Sequence, residues 1–215
     1  MSPLLSLDPL GEDAQEQHSP YPDTDDAIFF DDFIGANYDD ITWALTSISA
    51  TPQNAVGGRV LFRAAVGVGT AYAAMANNDA YSAATELTVE WKGKLIPPAT
   101  GGSSECGVMS GDNPSNSWIC WYYNPGTSAN FRCQCGNTSG TTNSDSGVAG
   151  DNNEHYFKII VSSTVVEFYL DGKFCVAVVN NITSDGMSPY VWCAASGTVV
   201  ADVDADYVLV TGERA

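Results

Sequence analysis

Three aspartates alternate along an apolar stretch near the end of the chain, where they could hold a divalent cation. Asp202, Asp204 and Asp206 are each separated by one residue, so on a β-strand their side chains share one face. Three like charges in a row repel one another, and calcium, which prefers oxygen ligands, would relieve that repulsion. The spacing matches no calcium loop, so solvated acids are the alternative. We predict no obligatory cofactor and keep these three residues as calcium candidates.

Aromatic side chains are concentrated in the segment SWICWYY at positions 117–123. On a strand they divide between two faces, and a strand that is aromatic on both faces is typical of the middle of a sheet. One face then packs in the core, and the other could stack against sugar rings or form a subunit interface. We predict Trp118, Trp121 and Tyr123 as candidates for such a glycan or interface surface.

The sequence lacks the common motifs of nucleophilic catalysis and of phosphate binding. Neither His18 nor His155 lies in a Ser-His-Asp or Cys-His arrangement, and no glycine-rich phosphate loop precedes a helical segment. The six cysteines are even in number and so permit disulfides, but all lie in strand-like segments and no secretion signal precedes them. We predict free, buried thiols.

The clearest structural signal is the segment FKIIVSSTVVEFYLDGKFCVAVV at positions 157–179. Alternating apolar residues and β-branched residues predict three strands. An Asp-Gly pair, Asp171 and Gly172, separates the second from the third, and this pair favours a type I′ hairpin turn. About twelve such strands follow one another, with turn residues between them. The chain is therefore predicted to be all-β, a two-sheet antiparallel β-sandwich or jelly roll over residues 28–215.

Residues 1–27 differ from the rest and form a separate, extended N-terminal arm. The arm contains four prolines and many acids. Its composition is compatible with a disordered tail. The alternative is that its apolar side chains dock on a partner, and the residues predicted for that contact are Leu4, Leu5, Leu7, Leu10 and Tyr21.

Charge excludes some partners. The net charge is −18, and residues 1–40 hold 11 of the 26 acids without a single lysine or arginine. Because no basic stripe is present to contact phosphates, nucleic acid is not an expected partner. No apolar segment is long enough to cross a membrane, and the N-terminus lacks the features of a signal peptide.

Four segments occur together in an order typical of one fold family. They are the DDFIG segment (31–35) followed by Trp43, the alternating strand 86–91, the hairpin block 154–179, and the closing segment 202–210. This pattern resembles the concanavalin A-like lectin/glucanase jelly roll, in the laminin-G-like versions found in structural proteins of tailed phages. The resemblance implies that the first and last strands of the domain pair with each other.

The resemblance also implies where catalytic acids would be found. Glucanases of this fold carry them on one strand as Glu-x-Asp-x-Glu or Glu-x-Asp-x-x-Glu, and the matching stretch here runs from Glu86 to Glu90, with Thr88 in place of the middle acid. Four strand residues separate two carboxyl groups by about 13 Å. Glycoside hydrolysis needs a separation of about 5 to 9.5 Å, so hydrolysis by this pair is disfavoured.

Together these observations predict a non-enzymatic virion protein, assembled in the host cytoplasm. It would be a capsid decoration or cement protein, docked through its arm on the major capsid protein or another virion protein. A symmetric homo-oligomer, with a trimer favoured, is expected. A carbohydrate-binding adhesin that uses the aromatic residues to contact surface glycans is the alternative. A glycan hydrolase with an unrecognised site is the third.

Overall fold

The computed structural model describes residues 27–33, 43–52, 58–66, 71–75, 81–82, 86–110, 117–182, 186–195 and 199–212. Its sixteen strands form two antiparallel sheets, each a path of seven neighbouring strands with one further strand beside it. The described residues contain no helix, and so none of a length and hydropathy that could span a membrane. The predicted all-β sandwich is confirmed, whereas the N-terminal arm lies outside the described residues apart from Ala27.

The first sheet has the strand order β14-β13-β12-β7-β16-β4-β3, and β1 pairs with the far half of β16. Its strands are β1 (Ala27–Asp31), β3 (Ile48–Pro52), β4 (Val60–Ala64), β7 (Leu87–Ile96), β12 (His155–Val161), β13 (Val166–Leu170), β14 (Lys173–Val178) and β16 (Ala201–Thr211). The pairing of Phe29 with Val210 and of Asp31 with Val208 confirms that the first and last strands are neighbours.

The second sheet has the strand order β11-β10-β9-β8-β15-β5-β2, with β6 beside one end of β15. Its strands are β2 (Trp43–Thr46), β5 (Ala71–Met75), β6 (Tyr81–Ser82), β8 (Ser103–Ser110), β9 (Ser117–Tyr123), β10 (Asn130–Asn137), β11 (Gly140–Ala149) and β15 (Gly186–Ala194). Strand β8 therefore lies in the middle of this sheet.

The main core lies between the two sheets. In β7 buried and partly exposed residues alternate strictly over ten positions, as expected for a strand with one buried face. Trp91 and Trp43 pack with their ring centroids 5.9 Å apart, and Trp121 contacts Phe157 and Phe168 at similar distances. All six cysteines are free, as predicted, and five of them are buried, whereas Cys175 is partly exposed.

The Asp-Gly hairpin forms as the sequence predicts. Asp171 and Gly172 have φ values of 50° and 76°, and both central residues of a type I′ turn require positive φ. The Asp171 carboxylate accepts a hydrogen bond from the backbone N–H of Tyr156 at 2.9 Å, which ties the turn to β12. The turn thus sets the pairing of Leu170 with Lys173 and of Tyr169 with Phe174, beyond which a bulge shifts the register of β13 and β14.

Candidate functional site

The aspartates proposed as calcium ligands lie on the outer face of the first sheet, and each faces a basic side chain. Asp202 accepts two hydrogen bonds of 2.8 Å from Arg63. Asp204 pairs with Arg59 at 3.1 Å, and Asp206 pairs with Lys92 at 2.6 Å. Cross-strand bases therefore relieve the repulsion that suggested a cation, and among the described residues no cluster of three or more metal-binding side chains occurs.

The three aspartates share one face, as predicted, and a β-bulge follows them. The register of β16 against β7 shifts between Ala205 and Tyr207, so the alternation breaks after Asp206. Tyr207 then lies on the outer side, where its ring contacts that of Tyr156 at 6.4 Å between centroids. Asp202 pairs with Arg63, whereas Asp204 and Asp206 belong to one network in which Glu154 links their partners Arg59 and Lys92.

The glutamates that match the glucanase motif in sequence also belong to the first sheet. Glu86 is exposed immediately before β7, and Glu90 forms an ion pair of 3.0 Å with Lys158 of the neighbouring strand. Their surroundings are those of acids on the outer face of a sheet.

The two faces of β9 settle which of its aromatic residues are accessible. Trp121 and Tyr123 belong to the core between the two sheets, so neither can stack against a ligand on the outer face. This corrects their assignment as surface candidates. Trp118 and Tyr122 project from the opposite face and are partly exposed. The alternation of β9 was predicted, but the face that turns inward was not.

A second apolar cluster lies on that outer face of the second sheet. Ala74, Met109, Cys120 and Tyr190 are buried at its centre, and four aromatic side chains pack around them. We call this surface the aromatic face; its partly exposed members are Tyr72, Trp118, Tyr122 and Trp192. An outer sheet face of this composition is unusual, since antiparallel sheets normally turn polar residues to the solvent side.

One carboxyl group lies in the middle of the aromatic face. Glu105 of β8 is opposite Tyr122 of β9 and opposite Trp192 of β15. Neighbouring strands are about 4.8 Å apart, so an aromatic residue flanks the glutamate on each side at that spacing. Tyr72 lies beyond Trp192, and the two rings stack with an interplanar angle of 16°. The residues form a row across the strands with the acid at its centre.

Glu105 is held in an unusual protonation state. Only 9% of its surface is exposed. Burial raises its pKa from the ordinary 4.5 to about 7, against the opposing effect of hydrogen bonds from Tyr190 and Cys120. Tyr190 Oη donates to Oε2 at 3.2 Å, and Cys120 Sγ donates to the same oxygen at 3.6 Å. Near neutral pH this carboxyl group can therefore both give and take a proton.

Trp118 lies against the sheet on the same face of β9 as Tyr122, the neighbour of Glu105, but four residues, or about 13 Å, further along the strand. A Cβ atom at Gly136 would approach the indole to within 2.3 to 2.6 Å, so the ring covers the place where a side chain would be. The indole Nε1 contacts Oε1 of Gln134 at 3.5 Å, at the limit of a hydrogen bond. An indole laid against a glycine backbone leaves its other face outward, which is the geometry needed for stacking on a sugar ring.

Sequence reasoning did not identify Glu105, Tyr190, Trp192, Tyr72 or Tyr122 as site residues. A signal for Glu105 exists in the segment SSECGVMS, where a single acid lies among small and apolar residues of a central strand. Such an acid needs a partner or a raised pKa. The other residues come from separate strands, and only the sheet order brings them together.

No family model matches the chain, and no curated protein matches it. Solved structures share its fold. An endo-acting O-glycanase of the human gut microbiota that initiates mucin breakdown is 16% identical with a TM-score of 0.63, covering 86% of this chain and 98% of its own. An immunostimulatory antigen and pseudo β-1,3-glucanase of Mycobacterium tuberculosis is 15% identical with a TM-score of 0.64, and the match covers 88% of this chain and 100% of its own.

An endo-1,3-β-glucanase from Streptomyces sioyaensis is 16% identical with a TM-score of 0.63, covering 90% of this chain and 98% of its own. At these identities the likeness shows the fold, which is the concanavalin A-like jelly roll that the sequence pattern resembles. The phage version of that family has no support in these structures.

The predicted non-enzymatic capsid decoration function is wrong. The fold neighbours are endo-glycanases and a glucanase-like protein, and an acid among aromatic residues occupies the middle of the second sheet. Glu90 belongs to the first sheet, whereas Glu105 belongs to the second. The arm contact, the homo-oligomer and the cellular location stay predictions.

Proposed function

We propose that the protein binds a glycan across the aromatic face and cleaves a glycosidic bond there, with Glu105 as the general acid. The observation that carries this proposal is the position of one buried, neutral-pH carboxyl group between Tyr122 and Trp192. Sugar rings present apolar faces that stack on aromatic rings and hydroxyl groups that hydrogen-bond with a carboxyl group. The fold neighbours, named as glycanases and glucanases, support the same class of ligand.

In the proposed reaction the protonated Glu105 gives its proton to the oxygen that bridges two sugars. The bond between that oxygen and the anomeric carbon breaks, a water oxygen bonds to the carbon, and the proton released by water restores the acid. A pKa of about 7 suits this exchange, because the acid is then largely protonated below neutral pH and still able to give its proton away.

Glycoside hydrolysis generally uses two carboxyl groups. On the same face of β8, Glu105 is followed by Gly107 and Met109, so the described strand supplies one of them. The aromatic rings that flank Glu105 supply the stacking surface for glycan recognition, and Glu105 supplies the proton for cleavage.

The experiment is a cleavage assay with β-1,3-glucan and with mucin O-glycans, with products identified by mass spectrometry. The wild-type protein is compared with Glu105→Gln, which keeps the size of the side chain but cannot donate an acidic proton. We expect cleavage of one of these glycans and a fall of at least about 100-fold in its rate in the variant.

The matched control is Glu90→Gln, which removes an acid from the outer face of the first sheet. That variant should cleave at the wild-type rate. Equal rates for Glu105→Gln and the wild type would overturn the role of Glu105. Binding by the wild type without any cleavage would overturn the hydrolytic step.

A further inference from the structure

The hydrogen bonds to Glu105 converge on one of its two oxygens. Tyr190 of β15 and Cys120 of β9 reach the carboxyl group from the strands on either side of β8, and both contact Oε2. A carboxylate oxygen offers about two acceptor positions. Two donors therefore occupy Oε2, and neither of them contacts Oε1.

Both donors keep their protons over the range in which Glu105 titrates. Cys120 and Tyr190 are fully buried, and burial raises the pKa of each well above its usual value. A buried thiol and a buried phenol next to a carboxyl group are thus donors at acidic and neutral pH. Since they cannot become anions there, their contribution to the site is the placement of hydrogen bonds.

Few other charged or titratable groups face Glu105 within the described part of the chain. Tyr122 flanks it on β9, Tyr72 lies two strands away on β5, and Arg132 lies two strands away on β10. The thiol of Cys106, next to it in sequence, points into the main core instead. No described basic side chain forms an ion pair with Glu105, so the two donors are its specific partners.

We propose that Tyr190 and Cys120 are positioning residues that hold the acidic proton of Glu105 on Oε1, the oxygen from which it can pass to a glycan. When Oε2 accepts two hydrogen bonds it is the less basic oxygen, and the proton resides on the other. The catalytic use of this arrangement rests on the proposed function. The arrangement of the three side chains can nevertheless be measured without any glycan.

The test follows the Glu105 carboxyl carbon by ¹³C NMR as a function of pH in the glycan-free protein. Tyr190→Phe keeps the ring and removes one donor, Cys120→Ala removes the other, and Cys120→Ser replaces the thiol by a hydroxyl donor. Because both bonds favour the charged carboxylate, we expect the titration midpoint to rise by about one pH unit in Tyr190→Phe. A smaller rise is expected in Cys120→Ala, and the wild-type midpoint in Cys120→Ser.

A midpoint unchanged in both Tyr190→Phe and Cys120→Ala would overturn the proposal. A titration midpoint in Cys120→Ser equal to that in Cys120→Ala would also overturn it, because the shift would then come from packing and not from a lost hydrogen bond. If a glycan is cleaved, the alkaline limb of the rate profile should move upward in the same two variants. If none is cleaved, the proposed function fails while the NMR midpoints still decide this inference.

Discussion

Glu105 illustrates how a single side chain can be set apart by its surroundings. Its neighbours across the sheet are aromatic and its own strand is otherwise apolar or small, so the charged form loses hydration that nothing fully replaces. The neutral form is therefore favoured up to about pH 7. Placing such a group on a partly exposed aromatic surface costs stability, a cost that is characteristic of functional sites.

The cost has a defined pH dependence. The pKa of Glu105 rises from 4.5 in the unfolded chain to about 7 in the folded protein, so between these values the folded state holds more protons. Stability therefore falls as pH rises through that interval. We expect Glu105→Gln to be more stable than the wild type at pH 8.5, by on the order of 3 kcal/mol at most.

Urea unfolding at pH 5.5 and pH 8.5 measures this difference. The gain in Glu105→Gln should be roughly half as large or less at pH 5.5, because only about one of the 2.5 pH units that separate the two pKa values has then been crossed. Glu90→Gln, whose carboxylate is half-exposed and paired with Lys158, serves as the control and should show no such gain at alkaline pH. The same gain in stability at both pH values would show that ionisation of Glu105 does not destabilise the fold.

At the scale of elements, glycines of the second sheet allow side chains to lie close to the backbone. A Cβ atom at Gly107 would come within 2.1 Å of the carbonyl oxygen of Ile119, and one at Gly136 would enter the ring of Trp118. Each glycine lies on a central strand, where it weakens the strand itself. Its benefit is the close approach of neighbouring groups on the aromatic face.

This arrangement predicts a coupling between Gly136 and Trp118. Gly136→Ala should displace the indole and weaken glycan binding by roughly tenfold, as should Trp118→Ala. Because both changes remove the same stacking surface, the double variant should bind no more weakly than either single one. Calorimetric affinities for all three variants test this, and fully additive losses would contradict the coupling.

A histidine connects two turns at one end of the sandwich. His155, at the start of β12, contacts Asp171 of the hairpin turn at 2.7 Å and Asp151 of the preceding loop at 2.9 Å. Burial lowers the pKa of His155, but the hydrogen bonds and charges of Asp171 and Asp151 outweigh burial and raise it above 6.5. The protonated ring thus stabilises the two turns together.

Because the folded pKa is the higher one, the stabilisation is present below pH 6.5 and is lost as pH rises through the folded value. His155→Gln should therefore lower the urea midpoint more at pH 5.5 than at pH 9. Asp145→Asn is a suitable control, since it alters an exposed carboxylate of β11 that His155 does not contact. An equal loss at both pH values would contradict a role for the charge.

The strands and turns differ in how far the sequence predicts them. The Asp171-Gly172 turn and the alternation of β7 are local patterns, and the sequence alone identifies them. The stretch from Ala71 is rich in alanine and ambiguous by propensity, yet it forms β5 because tertiary pairing with β15 decides it. The bulge near Asp206 leaves no local mark, so the outer position of Tyr207 could not be predicted from the alternation that places the three aspartates on one face.

The aromatic face could not have been predicted because its members are distant in sequence. Tyr72, Glu105, Tyr122 and Trp192 belong to four strands that become neighbours only through the order of the sheet. Alternation divides each strand into two faces but does not say which one is inward. For β9 both faces are aromatic, and the choice depends on packing against the first sheet.

At the scale of the whole molecule, charge and aromatic residues are separated between the two outer surfaces. Five of the eight basic residues lie on the outer side of the first sheet, in ion pairs with acids of neighbouring strands; these bases are Arg59, Arg63, Lys92, Lys94 and Lys158. The second sheet instead carries the aromatic face. Stacking and hydrogen bonds, rather than ion pairs, are therefore the forces available for a glycan.

The five tryptophans of the chain report on this separation directly. Trp43, Trp91 and Trp121 lie in the core between the sheets, whereas Trp118 and Trp192 belong to the aromatic face. Each indole N–H gives its own signal in a ¹⁵N–¹H correlation spectrum, so three tryptophans are internal controls for the other two. The decisive measurement is a titration of the labelled protein with a β-1,3-gluco-oligosaccharide and with a mucin O-glycan.

For a glycan that binds as proposed, the Trp118 and Trp192 signals shift with increasing ligand while the three core signals stay in place. Shifts confined to the core tryptophans, or no shift at either face residue with both glycans, would contradict glycan binding at the aromatic face.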